Sequence, residues 1–412
     1  MRLVSGPRDC DLELTKLIAK TLEDDFFFSG AKVIPRNTSS THEDKFASKG
    51  RKSFVFGNYN NSDPRVDIGE TTFSTHFKRD AIYLVMHMYN FAELNGSVAN
   101  AVFQALLLGR TLKKEGGAVK KLSLVSPIDP FGLNHSERRN RRVGFIEGEA
   151  LEMFCDFMSQ CGYNELISIC PHSTKTTSLL DDYGIKHRSI NPFVGPALIS
   201  TNRMGPFLFT DHTNTVKRDD YETQLARLMP FVTFLKNRYE SKTQDLIYVA
   251  TDDSCADNII EHITYALTGD RSNILGINKL RYIPGEVETG GIRSWSTATR
   301  SGLEGKICLL FDDKKLSGIT TYNVAKMMKE SGASEVGILI ANDESYDHSI
   351  LDQLEGNVVD YFVFLPTNPN SALKSVKDPR IIHLPVQYIA DPLASRIFDS
   401  YVRLRDEGGD KV

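Results

Sequence analysis

The sequence has no C-x-x-C pair; its six cysteines, Cys10, Cys155, Cys161, Cys170, Cys255 and Cys308, are scattered over 412 residues. That excludes the usual zinc and disulfide frameworks, and most of the six sit in apolar runs, so reduced, buried thiols are expected. There is also no run of about 18 apolar residues, so no membrane-spanning helix is expected. The opening "MRLVSGPRDCDLELTKLI" lacks the apolar core of a secretory signal. Together these absences imply a reducing cytoplasm. Neither sign of charge dominates: 49 basic residues face 53 acidic ones, for a formal net charge of −4. No global field therefore draws nucleic acid or an anionic membrane surface. No repeat recurs at a fixed period, although two halves can be structural copies without sequence likeness.

What the sequence does have is a recurring pattern of short apolar runs, each followed by helical spacing. They are "AIYLVMH" (81–87), "KLSLVSP" (121–127), "ELISICP" (165–171), "DLIYVATDD" (245–253), "KICLLFDD" (306–313), "EVGILIAN" (335–342) and "VVDYFVFLP" (358–366). Bounded by turn residues and too short for helices, they read as buried parallel strands. In "EALEMFCDFMSQCG", Leu151, Phe154, Cys155, Met158 and Cys161 fall at helical spacing and Gly162 suits the stop. A helix after Thr321 has Val324, Met327 and Met328 on one side and Gly332 at its end. Strand–helix–strand repetition predicts an α/β fold of doubly wound, mainly parallel sheets.

A chain of this length exceeds one small core, so two α/β domains are expected. Two segments break the pattern. Residues 29–50 are polar and basic. Residues 191–222 carry prolines and glycines without periodicity, as a functional insertion or interdomain linker does. The expected division is 1–190, a linker or insertion at 191–222, and 223–412.

Asp312 and Asp313 end one apolar run, and the loop after them, Lys315-Leu-Ser317-Gly318-Ile-Thr320-Thr321, is rich in hydroxyls. Ligands of open parallel sheets sit beyond the carboxyl ends of the strands. The following helix offers free N–H groups and its positive dipole end, which suits a phosphate, while the carboxylates can accept from sugar hydroxyls. A phosphorylated sugar meets both requirements. On these residues alone, a strand-end cap and a helix N-cap explain the pattern equally well.

The segment resembles the phosphoribosyl-binding loop of phosphoribosyltransferase-type folds. Over most of the chain, the order "MRLVSGPRDCDLELTKLIAKTL", "LSLVSPIDPFGLNHSERR", "ELISICPHST", "DLIYVATDDS", "ILGINKLRYIPGEVE", "KICLLFDDKKLSGITT", "VVDYFVFLPTNPNS" and "RIIHLPVQYIADPLA" is similar to the phosphoribosyl pyrophosphate synthetase (ribose-phosphate pyrophosphokinase) family. The resemblance implies two phosphoribosyltransferase-like domains, an active site in the cleft between them and homo-oligomeric assembly. It also implies transfer of the β,γ-pyrophosphoryl group of MgATP to the anomeric hydroxyl of ribose 5-phosphate, chemistry governed by positioning and charge neutralisation.

Carried over residue by residue, "INKLR" matches the family's flexible catalytic loop, giving Lys279 and Arg281 the stabilisation of charge on the transferring group. "CPHST" matches the strand end with a metal-associated histidine, here His172, as a magnesium ligand. Asp252 matches the pyrophosphate-loop aspartate, assigned to a second magnesium and the ribose hydroxyls, with Asp253 as the competing choice. The acceptor would rest on Asp312, Asp313, Lys315, Ser317, Gly318, Thr320 and Thr321. On the ATP side, a Phe-x-Asp-Gly-Glu pattern reads Phe54, Val55, Phe56, Gly57 and Asn58 here, and the family's Arg-Gln-Asp reads His135, Ser136 and Glu137 with Arg138 retained, so that Phe54 would flank the adenine and Glu137 accept from it. The arginine lost there leaves Arg138, Arg139, Arg141 and Arg142 as candidates to replace it.

The acceptor loop departs from the family pattern of Asp-Thr-Gly-Gly-Thr: Leu316 stands in place of the aspartate, and Ile319 stands where a glycine lets backbone approach a monoester closely. Such a loop fits an acceptor whose 5-phosphate carries a further substituent, ADP-ribose being one. A noncatalytic regulatory subunit is the alternative reading of the altered ATP motif, and a plain phosphoribosyltransferase, which needs one such domain, is third.

Overall fold

In a computed structural model, the chain is described at residues 1–26, 28, 30–34, 54–58, 64–68, 74, 77–78, 80–88, 98–114, 119–128, 130, 150–170, 174–190, 230–239, 242, 245–250, 273–280, 288–294, 302–315, 319–343, 350–369 and 371–407. It divides into two compact units, Met1–Ile190 with Leu393–Val412, and Asn191–Pro392.

The first unit is built on a six-stranded, all-parallel sheet. Its strands are β1 (Arg2–Ser5), β2 (Lys32–Ile34), β5 (Ala81–Val85), β6 (Lys121–Ser126), β7 (Glu165–Ile169) and β8 (Lys186–Ile190), ordered β2-β1-β5-β6-β7-β8. The pairs Val4↔Leu84, Leu84↔Leu124, Val125↔Ile167 and Ile167↔Arg188 set the register. Helices α1 (Asp9–Asp24), α2 (Val98–Lys114), α3 (Ala150–Gln160) and α4 (Thr174–Asp182) alternate with the strands. A separate antiparallel hairpin, β3 (Phe54–Asn58) with β4 (Pro64–Ile68), packs Val66 and Ile68 on the core of Leu84, Leu108, Leu124, Phe154 and Leu166.

Among the described residues, the second unit has a seven-stranded sheet. Its strands are β9 (Leu246–Ala250), β10 (Ile274–Leu280), β11 (Glu288–Ser294), β12 (Ile307–Lys315), β13 (Glu335–Asp343), β14 (Tyr361–Phe364) and β15 (Ile381–His383), ordered β11-β10-β9-β12-β13-β14-β15. Only the edge strand β11 runs antiparallel to its neighbour. Helices α5 (Pro230–Tyr239), α6 (Ile319–Glu330) and α7 (Ile350–Glu355) accompany it, and α8 (Gln387–Glu407) closes the described chain. Its core gathers Val249, Leu310, Val324, Met328, Ile338 and Phe362.

All seven apolar runs are strands, because parallel strands covered on both faces must be apolar throughout. The predicted glycine stops hold as well. Gly162 (φ +88°) and Gly332 (φ +94°) take the left-handed conformation that glycine adopts without strain. Tyr163 N–H then bonds Met158 O at 3.0 Å and Ala333 N–H bonds Met328 O at 3.1 Å, satisfying carbonyls that the helix ends leave open. The fold is thus α/β with mainly parallel sheets.

Without β11, the two sheets share one order: second, first, third, fourth, fifth and sixth strand. The halves are structural copies. One allocation differs from the linear division, since Leu393–Val412 belongs with the first unit rather than with 223–412. A polar cluster joins this segment to the first sheet. Ser400 Oγ donates to Glu165 Oε2 (2.6 Å) and accepts from Lys121 Nζ (2.7 Å) and Tyr83 OH (3.0 Å), while Arg188 Nη1 donates to Asp399 (2.9 Å). Among the described residues no helix is long and apolar enough to cross a membrane.

Candidate functional site

The strand order of the second unit reverses between β9 and β12, the crevice where open sheets of this kind hold ligands. Among the described residues the ladder between β9 and β12 runs to Phe311↔Ala250, and the ladder with β13 runs through Asp312↔Ile340 and Lys314↔Asn342 to Lys315↔Asp343. Asp312 to Lys315 therefore form the carboxyl-end part of β12, paired there with β13. Asp312 and Asp313 are half-buried there, and as successive strand residues they face opposite sides of the sheet.

The neighbouring strand ends are braced. Asp343 accepts from Ser371 Oγ, Asn368 Nδ2 donates to Asp343 O (2.8 Å), and Thr367 Oγ1 donates to Ala341 O (2.9 Å). The sequence reading missed these residues, whose signal is a cluster of Asn, Thr and Ser after an apolar strand. Helix α6 begins at Ile319, so Thr320 and Thr321 stand in its first turn, Thr321 buried. Ser317 and Gly318 lie outside the described residues, as do Asp252, Arg281, His172, His135, Glu137 and Arg138.

Lys279 is placed differently from expectation. It stands in a strand, not a loop: β10 pairs with β11, Lys279 opposite Thr289, with an irregular register between Ile277 and Lys279. Such irregularities bend a strand and are common beside active sites. Phe54 and Asn58 are the first and last residues of β3, paired with Ile68 and Pro64. Beyond β7, Cys170 takes a left-handed φ of +48° while its N–H bonds Ile190 O at 2.7 Å. Backbone strain of this kind clusters at functional sites. His172 follows two residues later in sequence.

A second group, unanticipated from sequence, stands at the matching point of the first unit. Asp11 is fully buried in α1, and its carboxylate accepts from Arg8 Nε (3.0 Å), His87 N–H (2.9 Å) and His87 Nδ1 (2.8 Å). Burial pushes the Asp11 carboxyl upward, but Arg8 and His87 outweigh it and hold it below its ordinary range. The sequence signal is an aspartate on the apolar stripe of Asp11, Leu14, Ile18 and Leu22. Ligating atoms of Cys10, Asp11 and His87 lie within 4.8 Å of one another. They make a poor cation site. Burial first, then the Asp11 charge, pushes the Cys10 thiol up to about 12, so it keeps its proton, and Arg8 already neutralises the carboxylate.

Carboxylates near the carboxyl end of a central strand, with a helix start following that strand, are of the kind that can hold a sugar and its phosphate. Two α/β units of one strand order in a single chain define a two-domain, mainly parallel α/β protein. The chain has the fold of phosphoribosylpyrophosphate synthetase. The crystal structure of that enzyme from Mycobacterium smegmatis superposes with a TM-score of 0.60 at 16% identity, covering 97% of this chain and 99% of that one. A purine phosphoribosyltransferase from Pyrococcus horikoshii Ot3 matches 34% of this chain and 81% of its own, at 17% identity and a TM-score of 0.23. No protein-family model and no curated protein sequence matches the chain.

Proposed function

We propose that the protein is a pyrophosphokinase that transfers the β,γ-pyrophosphoryl group of MgATP to the 1-hydroxyl of a ribose-5-phosphate-type acceptor, releasing AMP. The observation that carries this reading is Asp312 and Asp313 at the switch point of the second unit, within a fold matching phosphoribosylpyrophosphate synthetase along nearly its whole length. Asp312, Asp313 and Asp252 receive the ribose hydroxyls. The start of α6, with Lys315, Ser317, Gly318, Thr320 and Thr321, receives the phosphate. Lys279 and Arg281 stabilise charge on the group in flight. ATP is held through Phe54, Asn58, His135, Glu137 and Arg138. His172 and Asp252, an imidazole and a carboxylate, are of the kind that would hold magnesium, and the metal would neutralise phosphate charge. Leu316 and Ile319 favour ADP-ribose over ribose 5-phosphate as the acceptor. The protein acts in the cytoplasm as a homo-oligomer.

The purified protein with MgATP and either acceptor, followed for AMP and the new 1-pyrophosphate by chromatography and phosphorus NMR, tests this. Turnover with one acceptor is expected, and Lys279→Ala loses it while keeping the fold. Silence with both, from folded protein that binds nucleotide, favours the noncatalytic regulatory subunit that the altered ATP motif also fits.

A further inference from the structure

The first unit repeats the strand order of the second, so it has its own switch point, between β1 and β5. Arg8 and His87 follow these two strands, and both donate to the Asp11 carboxylate. Four donors converge on the Asp11 carboxylate: Arg8 N–H (3.2 Å) and Arg8 Nε (3.0 Å) on Oδ2, His87 N–H (2.9 Å) and His87 Nδ1 (2.8 Å) on Oδ1. Because a carboxylate only accepts, His87 Nδ1 carries the proton. Arg8 Nη2 also donates to His87 O, which ties the two loops together. The backbone is equally close: a Cβ on Gly6 would lie 2.4 Å from Asp11 Oδ2.

Two backbone N–H groups, a guanidinium and an imidazole N–H at a switch point form a donor set suited to a bound oxyanion. Here the oxyanion is a side chain of the chain itself. We propose that the switch point of the first unit is an anion site closed by Asp11, whose carboxylate stands where a phosphate oxygen would otherwise be held, so that this unit takes no phosphate ligand there. The inference is independent of which acceptor the second unit binds. It predicts that shortening Asp11 opens the site to inorganic phosphate.

The test uses the full chain and the variants Asp11→Ala, Asp11→Asn and Asp11→Ala with Arg8→Ala. Thermal midpoints are measured in chloride and in phosphate at equal ionic strength, with phosphate binding followed by calorimetry. Asp11→Ala is expected to bind one phosphate more than the wild type, with a midpoint rise in phosphate exceeding the wild type's by roughly 4 °C or more. Asp11→Asn, which still fills the space, and the double variant should show neither gain. If Asp11→Ala does not fold in chloride, phosphate should restore its folded fraction. Equal phosphate effects on wild type and Asp11→Ala, gains that survive loss of Arg8, or no restoration of an unfolded variant would each overturn the proposal.

Discussion

Each sheet is covered at the same place by a helix, but by different chemistry. In the first unit Ser400 reaches the first residues of β6 and β7, Lys121 and Glu165. In the second, Tyr239 reaches the first residues of β13 and β14, Glu335 (2.7 Å) and Tyr361 (2.7 Å). These strands are equivalents in the shared order. The covering helix of the second unit precedes its first strand, whereas that of the first is supplied by residues 393–407 near the C-terminal end. Relative to each other, the units are circularly permuted.

The chemical contrast is sharp. Glu165 is fully buried and accepts from Lys121 (3.0 Å), Arg188, Ser123 (2.9 Å) and Ser400 (2.6 Å). The second cluster is aromatic and half-open: Arg238 lies over the Tyr361 ring at 4.1 Å, and Glu335 remains 28% exposed. A repeated strand order thus fixes where a helix sits, while the side chains decide whether it is held by buried charge or by phenols.

The largest break in this comparison comes from Glu165→Gln, which leaves Lys121 and Arg188 without their shared counter-charge. A loss of about 3–5 kcal/mol is expected in denaturant unfolding, confined to the first unit in peptide-resolved hydrogen exchange. Gly337→Ala strikes the second unit, because its Cβ would lie 2.2 Å from the Tyr361 hydroxyl. About 1–3 kcal/mol of overpacking should appear there instead. Tyr361→Phe, which removes one donor to Tyr239, should cost only about 0.5–1.5 kcal/mol.

Acid sharpens the contrast. Burial raises the Glu165 carboxyl, but Lys121, Ser400 and Arg188 together hold it below its ordinary value. A depressed folded-state pKa contributes stability that is present above the unfolded value, roughly 4.3, and is lost as pH falls through the folded one. Asp11 has the same sign. Among the described carboxylates held low in the second unit, Asp245 and Asp378 are at the surface, where pairing contributes little. Limited proteolysis across falling pH should cut the first unit first, and Glu165→Gln should flatten that dependence.

Much of the fold was legible. The seven apolar runs, the helix of Leu151 to Met158 and the stops at Gly162 and Gly332 follow from burial on both sheet faces and from backbone sterics. Short or polar strands were not: "KVI", "KHRSI" and "IIH" pair at or near sheet edges, where few residues need be apolar. The origin of the first unit's covering helix was also hidden, because Ser400 and Glu165 are distant in sequence and ordinary in type. Of the candidate site, Asp312, Asp313 and the start of α6 emerged from local pattern, whereas the Arg8–Asp11–His87 group depends on two loops brought together only by the sheet.

The most direct measurement is calorimetric titration of the full chain, with magnesium, by ribose 5-phosphate and by ADP-ribose. One of them should bind with one equivalent per chain, and that binding should disappear in Asp312→Asn with Asp313→Asn at an unchanged thermal midpoint. Undiminished binding in that variant, or two equivalents in the wild type, would contradict a single acceptor site at the β9–β12 switch point.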